Sequence, residues 1–362
     1  MTEAAKITSV KIPTAEELLE LTISRGSSDL HIIVGCNPML RIDGNLIALT
    51  EFAVLTSDMT EKIIMSMLTK EQQETLLRER ELDISISLED EGRFRVNVFF
   101  QRGSMGAALR LVPTSIRTLE ELGMPKAVEK FTEHSQGFVL VTGPTGHGKS
   151  TTLASMVDKV NQEKQVHIIT IEDPIEYMHE SKRAIVDQRE LHLDTKSWTI
   201  ALKSALREDP DVVLVGEMRD LETIAAAITI AETGHLVFAT LHTNNAAQTV
   251  DRIIDVFPAR QQPQIRMQLA ASLTGVVSQR LLPRIGGGRV VAAEIMTATP
   301  AVKNAIREGK THQLNNIIEV SASEGMISMD RSLASLVKKG EVLLEDAKRF
   351  AIAPAEFDKL VR

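Results

Sequence analysis

The sequence predicts an α/β protein in two parts: a small α+β domain, then a parallel sheet wrapped by helices. Three observations carry this expectation. Through the middle of the chain, short apolar runs alternate with helical stretches, the pattern of a parallel sheet covered on both faces. Ahead of them, over residues 82–88 and 93–100, apolar and polar residues alternate, as in strands with one face in water. Between the two patterns, residues 113–118 read as a linker. A chain of 362 residues has room for roughly two or three domains. Its 43% hydrophobic and 25% charged residues are the balance of a globular protein with real cores.

In chain order, residues 15–25 form an amphipathic helix with Leu18, Leu19, Leu21 and Ile23 as its apolar members. Gly26-Ser27-Ser28-Asp29 is turn chemistry, and residues 30–34 form a strand. Residues 38–42 and 46–49 flank Asp43-Gly44-Asn45, a hairpin signal. Residues 58–80 are helical by period and by their Glu, Gln, Lys and Leu content. The strand 93–100 places Arg93, Arg95 and Asn97 on one face, and 107–112 is a further strand. After the linker, 119–131 is a short helical stretch. The apolar runs then fall at 138–141, 166–171, 212–215 and 236–240, with helices at 199–208 and 221–233 between them. Each run ends in polar, chemically capable residues, which is where the chemistry of a parallel sheet belongs. From Ala246 onward the pattern is mostly helical, apart from 289–296, and there is no internal repeat.

Composition excludes several classes. Lys and Arg number 41 against 49 Asp and Glu, a net charge of −8, which argues against a dedicated nucleic-acid binder. Aromatics make up only 3%, too few for base-stacking platforms. The single cysteine, Cys36, forms neither an internal disulfide nor a four-cysteine zinc site. Residues 1–13 lack the apolar core of a signal peptide, and no window approaches 18 consecutive apolar residues. The expectation is a cytosolic protein that reaches a membrane only through a partner.

Four motifs carry chemistry. Gly143-Pro144-Thr145-Gly146-His147-Gly148-Lys149-Ser150 fits G-x-x-x-x-G-K-[ST], with an apolar run before it and a helix-compatible stretch from Thr151 after it. Glycines let backbone N–H groups turn inward around phosphate oxygens, and the helix N-terminus adds positive potential. Lys149 reaches the β- and γ-phosphates, and the Ser150 hydroxyl ligates Mg²⁺. The second motif runs from Asp211 through an apolar run to Gly216-Glu217, an acid placed to hold Mg²⁺ beside the loop. Glu217, beyond the run, is the candidate rather than Asp211. The third is Thr170-Ile171-Glu172-Asp173-Pro174-Ile175-Glu176. Here Glu172, Asp173 and Glu176 are candidates for the base that activates water, with a solvated acidic loop as the plainer reading. In the fourth, His235 and His242 bracket a strand that carries Thr240, with Thr243 just beyond it. Both histidines could sense a γ-phosphate, or be structural. A zinc site is disfavoured, because seven residues along a strand put them on opposite faces.

In chain order, the glycine loop, the acidic box 170–176, the apolar run ending in Glu217 and the histidine strand resemble the secretion ATPases of type II and type IV pilus systems. The strings TIEDPIEY (170–177), SALREDPDVVLVGEMRDLETI (204–224), TGHLVFATLHT (233–243) and DRIIDVFPA (251–259) sharpen the likeness, which covers most of the chain. SDLHIIVGCNPMLRIDG (28–44) and RFRVNVFFQRG (93–103) resemble the PAS-like N-terminal domain of that family. The resemblance implies a PAS-like domain over 1–113, a linker over 114–118, a RecA-like P-loop ATPase core over 119–297 and a helical C-terminal region over 298–362. Within the family the chain looks like the retraction ATPases of the type IV pilus, since it lacks the longer N-terminal region and zinc cysteines of the assembly ATPases. AVKNAIRE (301–308) resembles their C-terminal AIRNLIRE motif, departing from it at Lys303 and Ala305. His147 stands where the family commonly has Ser.

The resemblance also implies roles. ATP and Mg²⁺ are the expected cofactors, with Gly143, Pro144, Thr145, Gly146, His147, Gly148, Lys149, Ser150 and Thr151 around the phosphates and Ser150 and Glu217 at the metal. Glu176 matches the general base, Glu217 the acid near Mg²⁺, and His235 and His242 the residues that sense or position the γ-phosphate. Arg95, Arg102 and Arg110 lie in the stretch that completes the phosphate site from the N-terminal domain. Implied partners are a ring of six copies, the inner-membrane platform protein of the pilus machine and an accessory ATPase paralogue. Neither nucleic acid nor membrane insertion is expected. The competing readings are an accessory paralogue, an assembly or secretion ATPase of a related system, a catalytically weak regulatory subunit and a DNA motor.

Overall fold

The structure, a computed structural model, describes residues 11–42, 44–88, 92–113 and 115–362. Residues 1–10, Asp43 of the expected hairpin turn and Thr114 of the expected linker lie outside the described residues. The chain divides into two compact units, Met1–Thr114 and Ser115–Arg362.

The first unit is α+β. It comprises α1 (Ala15–Ser24), β1 (Asp29–Ile32), β2 (Met39–Ile42), β3 (Asn45–Ala48), α2 (Ser57–Ser66), α3 (Lys70–Glu79), β4 (Glu81–Leu88), β5 (Gly92–Gln101) and β6 (Ser104–Val112). Its sheet has the order β3-β2-β1-β6-β5-β4, with every pairing antiparallel. Alternation works here as the sequence implies: Phe94, Val96 and Val98 of β5 are fully buried, and Arg95 between them is exposed. The single helix expected over 58–80 is two helices. Thr69 forms a capping box with Gln72, the Thr69 side chain accepting from the Gln72 backbone N–H and the Gln72 side chain from that of Thr69. A capping box starts a helix, so the periodic stretch breaks just before it.

The second unit begins with α4 (Lys126–Glu133), β7 (Gly137–Thr142), α5 (Lys149–Glu163), β8 (His167–Glu172) and β9 (Ile185–Glu190). It continues through α6 (Trp198–Ala205), β10 (Val212–Val215), α7 (Leu221–Glu232), β11 (Leu236–Leu241), α8 (Ala246–Asp255) and α9 (Gln262–Ser272). The strands β12 (Leu273–Pro283) and β13 (Arg289–Thr297) follow, then α10 (Pro300–Arg307), α11 (Leu314–Val320), α12 (Met329–Lys338), α13 (Leu344–Lys348) and α14 (Pro354–Val361). The sheet runs β13-β12-β7-β11-β10-β8-β9, parallel throughout except for β13 at one edge. All six residues of β7 and of β11 are buried, because separate apolar cores cover the two sheet faces.

Three elements differ from expectation. The helix expected over 119–131 starts only at Lys126, behind Pro125. The strand β9 was not anticipated. Nor was β12, which falls in a region expected to be helical. It lies between β7 and β13, buried on both faces, so no alternation betrays it; Thr274, Val276 and Val277 are its β-branched signal. Gly275 in β12 is required, since a Cβ there would stand 2.3 Å from the Phe131 ring of α4.

Candidate nucleotide-binding site

The parallel strands all end at one edge of the sheet, so the loops after β7, β8, β10 and β11 emerge together. The loop after β7 is the glycine motif. Gly143, Gly146 and Gly148 have φ of 144°, 79° and 83°, values that side chains resist. A Cβ on Gly143 would also lie 2.6 Å from the Gln279 carbonyl oxygen of the neighbouring β12. Lys149 opens α5 and is buried, its Nζ donating to the Gly143 and Pro144 carbonyls at 3.0 and 3.1 Å. Burial pulls its pKa below the usual lysine value, as does the charge of Arg280, while Glu217 opposes them. Ser150 is exposed on the first turn, and the Thr151 hydroxyl meets the Tyr177 hydroxyl at 2.8 Å. Pro144, Thr145 and His147 line the rest of the loop. His147 is no passive member, because its Nδ1 accepts from the Leu281 N–H at 3.0 Å and its carbonyl accepts from Gln279 Nε2 at 2.6 Å. Burial, with Arg280, Lys149 and Arg289 nearby, lowers its pKa, in keeping with an accepting nitrogen.

Glu217 and His242 come to this loop from β10 and β11. His242 bridges the two, its Nδ1 3.3 Å from the Thr145 hydroxyl and its Nε2 3.1 Å from Glu217 Oε1. Glu217 also accepts both arms of Arg219, at 2.7 and 2.8 Å. That fork holds its carboxyl below the ordinary glutamate range, against burial and with the help of His242. Asp211 lies at the opposite edge, where it accepts from the His167 N–H at 2.9 Å.

The acids after β8 separate by environment. Glu172 is enclosed, accepting from the Thr170 hydroxyl at 2.8 Å, the Glu176 N–H at 3.3 Å and Gln188 Nε2 at 3.4 Å. Burial pushes its pKa up to about 7. Asp173 and Glu176 are exposed, and the loop carrying Glu176 is pinned to α5 by the Tyr177–Thr151 contact.

Within the chain, His235 stands apart from the glycine loop. β11 pairs with β7 in register from Leu236 opposite Gly137 to Leu241 opposite Thr142. His235 therefore stands at the amino edge and the glycine loop at the carboxyl edge, about 20 Å apart at ~3.3 Å per residue. Its Nδ1 lies 3.0 Å from the Ile230 carbonyl and 3.1 Å from the Thr233 hydroxyl, so within the chain it closes the last turn of α7.

The arginines belong to the first unit. Arg110 donates to Asp29 at 2.9 Å, and Arg95 sits directly opposite Arg110 across the β5–β6 ladder. Although Asp29 is partly buried, the Ser28 and Arg110 hydrogen bonds keep its carboxyl below its usual value. Arg102 occupies the β5–β6 turn at φ 49°.

For a cation, Ser150 offers a hydroxyl and Glu217 a carboxylate. Among the described residues no three His, Cys, Asp or Glu side chains gather as a metal site. A hydroxyl and one acid suit Mg²⁺, which keeps waters and takes phosphate oxygens. Tyr177 closes the string 170–177 without a role assigned to it, and Asn244, Gln279 and Arg280 lie outside the motifs. Gln279 and Arg280 lie on β12, whose strand signal is its β-branched residues; for Asn244 no signal stands out.

Comparison with known proteins places the chain in a family. Residues 4–287 match the family described as type II/IV secretion system protein. A type IV pilus retraction ATPase, PilT of Pseudomonas aeruginosa, is 48% identical, covering 94% of this chain and 99% of its own. The type IV pilus ATPase PilU of the same organism is 41% identical over 92% and 87%. The crystal structure of the pilus retraction motor PilT with bound ADP superposes with a TM-score of 0.89 at 46% identity, covering 96% and 99%. A likeness of this extent fixes the membership: the chain belongs to the type II/IV secretion system protein family, and within it to the PilT-type retraction ATPases.

Proposed function

We propose that the chain is an ATP-hydrolysing motor that assembles as a ring of six and drives type IV pilus retraction. The observation that carries this is the chain of contacts from Thr145 through His242 to Glu217, which joins phosphate loop and metal acid in one site. Near-full-length likeness to a retraction ATPase supports the direction of the work.

In this reading, inward N–H groups of the loop and Lys149 hold the β- and γ-phosphates. Ser150 and Glu217 would hold Mg²⁺, which when bound offsets phosphate charge. Water attacks the γ-phosphorus while Glu176 takes its proton. The bond from the γ-phosphorus to the bridging oxygen breaks, leaving ADP and inorganic phosphate. His242 reports the loss of the γ-phosphate. Arg95, Arg102 and Arg110 are candidates to neutralise charge from the N-terminal domain of a neighbouring subunit.

No helix among the described residues is long and apolar enough to cross a membrane. The likeness to a type IV pilus retraction ATPase supports placing the motor on the cytoplasmic side of the inner membrane, docked on the pilus platform protein. The helix α10 is our candidate coupling element. Val302, Ala305 and Ile306 are buried, and Arg307 and Glu308 at its end are exposed. The departures at Lys303 and Ala305, with the likeness to PilU, favour an accessory paralogue as the second reading. A Lys149→Ala strain separates the two readings. Loss of twitching with pili retained marks the main motor; unimpaired twitching with a functional partner ATPase present marks the accessory.

A further inference from the structure

The loop after β11 must hold His242 in place for the contacts above to form, and the charged residues that fix it lie outside every motif. Thr243 bonds to Thr249 at 2.7 Å and Asn245 caps α8 through the Gln248 N–H at 2.8 Å, both within the loop and the first turns of the helix it leads into. Two charged side chains tie this loop to the sheet instead. Arg280 of β12 is buried and donates Nη2 to the Asn244 carbonyl at 3.0 Å and to the Asn244 side-chain oxygen at 2.9 Å. Glu294 of β13, 2% exposed, accepts from the Ala246 N–H at 2.7 Å and from the Met329 backbone N–H, the first residue of α12.

We propose that Arg280 and Glu294 form a buried brace that positions His242 against the γ-phosphate, anchored at its far end on α12. Both are positioning residues that act through the loop at 244–246. This rests on the nucleotide reading of the site given above.

Physical arguments support the assignment. Arg280 also donates Nη1 to the Gln279 carbonyl at 2.9 Å, and the Gln279 side chain donates to the His147 carbonyl. One stretch of β12 thus touches both the phosphate loop and the loop carrying His242, and sets their spacing. A planar guanidinium can donate to two oxygens of one residue at once, which a lysine ammonium does less rigidly. Burial pushes the Glu294 carboxyl up to about 7, against its backbone hydrogen bonds and the charge of Arg280. Each residue grips the loop through hydrogen bonds of its own, Arg280 at Asn244 and Glu294 at Ala246. The phosphate loop has its own support in Lys149 and its glycines. Disturbing the brace should therefore impair the step that needs His242 while sparing diphosphate binding.

The test uses the full-length protein and three variants: Arg280→Lys, Glu294→Gln and Asn244→Ala, the last changing an exposed side chain. Steady-state hydrolysis gives kcat and KM for ATP, a fluorescent ADP gives affinity, and thermal melting reports folding. Expected are a fall in kcat of roughly tenfold or more for Arg280→Lys and Glu294→Gln and of about threefold for Asn244→Ala, with ADP affinity within twofold of wild type. Arg280→Lys combined with Asn244→Ala should be no worse than Arg280→Lys alone, because the Asn244 side chain acts only through the guanidinium that Arg280→Lys already removes. Unchanged kcat in the folded variants, parallel losses of kcat and ADP affinity, or additive losses would overturn the brace. If the two buried variants do not fold, Asn244→Ala decides by the same split. Absence of hydrolysis in the wild-type protein would instead sink the functional reading, which keeps the two failures distinct.

Discussion

The two ends of β11 carry the same residue type and opposite chemistry. His242 leaves the carboxyl end and meets Thr145 and Glu217 beside the N-terminus of α5. His235 precedes the amino end and meets the carbonyl of Ile230 in the last turn of α7. A helix N-terminus offers donors and positive potential, and a C-terminus offers acceptors and negative potential. In a parallel sheet the following helices return their C-termini to the amino edge. One edge can therefore cradle phosphate, while the other takes an imidazole N–H. A motif that reads as one unit along the chain is thus two sites in space.

The largest test of that polarity is Lys149. Replacing it with Ala removes the buried ammonium of the carboxyl edge, and ATP turnover should fall below detection with weakened nucleotide binding. Turnover near wild type would show that this edge is not the site. Next in size are the two acids. Glu176→Gln should slow hydrolysis by about 10²–10⁴-fold, the usual contribution of a base, while ATP stays bound. Glu217→Ala should instead lower turnover and Mg²⁺-dependent binding together. Equal loss of binding in both would remove Glu176 from the role of base.

The histidines sharpen the comparison most directly. His242→Gln should cost about tenfold or more in kcat, since it breaks the contact between the phosphate loop and Glu217. His235→Gln should leave kcat of the isolated chain within about twofold, because its partners are carbonyl and hydroxyl groups of α7. Steady-state assays on the two proteins side by side decide it. Matching losses would mean that a neighbouring copy brings the amino edge to a nucleotide.

Much of this arrangement was legible beforehand, for identifiable reasons. The strands β7, β8, β10 and β11 are continuous apolar runs ending in polar residues, so their alignment and the shared edge follow from sequence. Lys149, Glu217 and His242 then fall together. What was hidden depends on tertiary neighbours. β12 lies inside the sheet and has no alternation, so only its β-branched residues mark it as a strand and nothing marks Gln279 and Arg280 as neighbours of the site. The break between α2 and α3 turns on one capping box at Thr69. The separation of His235 from His242 follows from counting residues along the strand. Its consequence appears only once the register of β11 on β7 is known.

The smallest expected effect concerns stability, and it compares the two ends of a second strand, β8. Glu172 closes the carboxyl end, with burial raising its pKa to about 7. His167 opens the amino end, where burial is outweighed by its hydrogen bonds to Asp187 and the Asp209 carbonyl, so its pKa is also raised. Between the ordinary glutamate value of 4.5 and about 7, the folded chain holds a proton on Glu172 that the unfolded chain has released. Stability from this group therefore declines as pH rises through that window, by at most ~1.4 kcal/mol per pH unit. The protonated His167 stabilises fully below its ordinary value of 6.5, and that contribution is lost as pH rises through its higher folded value. The two replacements should then move apart. Glu172→Gln should gain on wild type as pH goes from 5 to 8, because it has no charge to bury. His167→Asn should lose most against wild type at pH 5 to 6 and least at pH 8. Urea unfolding across that range reads both differences. A Glu172→Gln difference that stays flat with pH would mean that the carboxyl edge holds this acid ionised throughout.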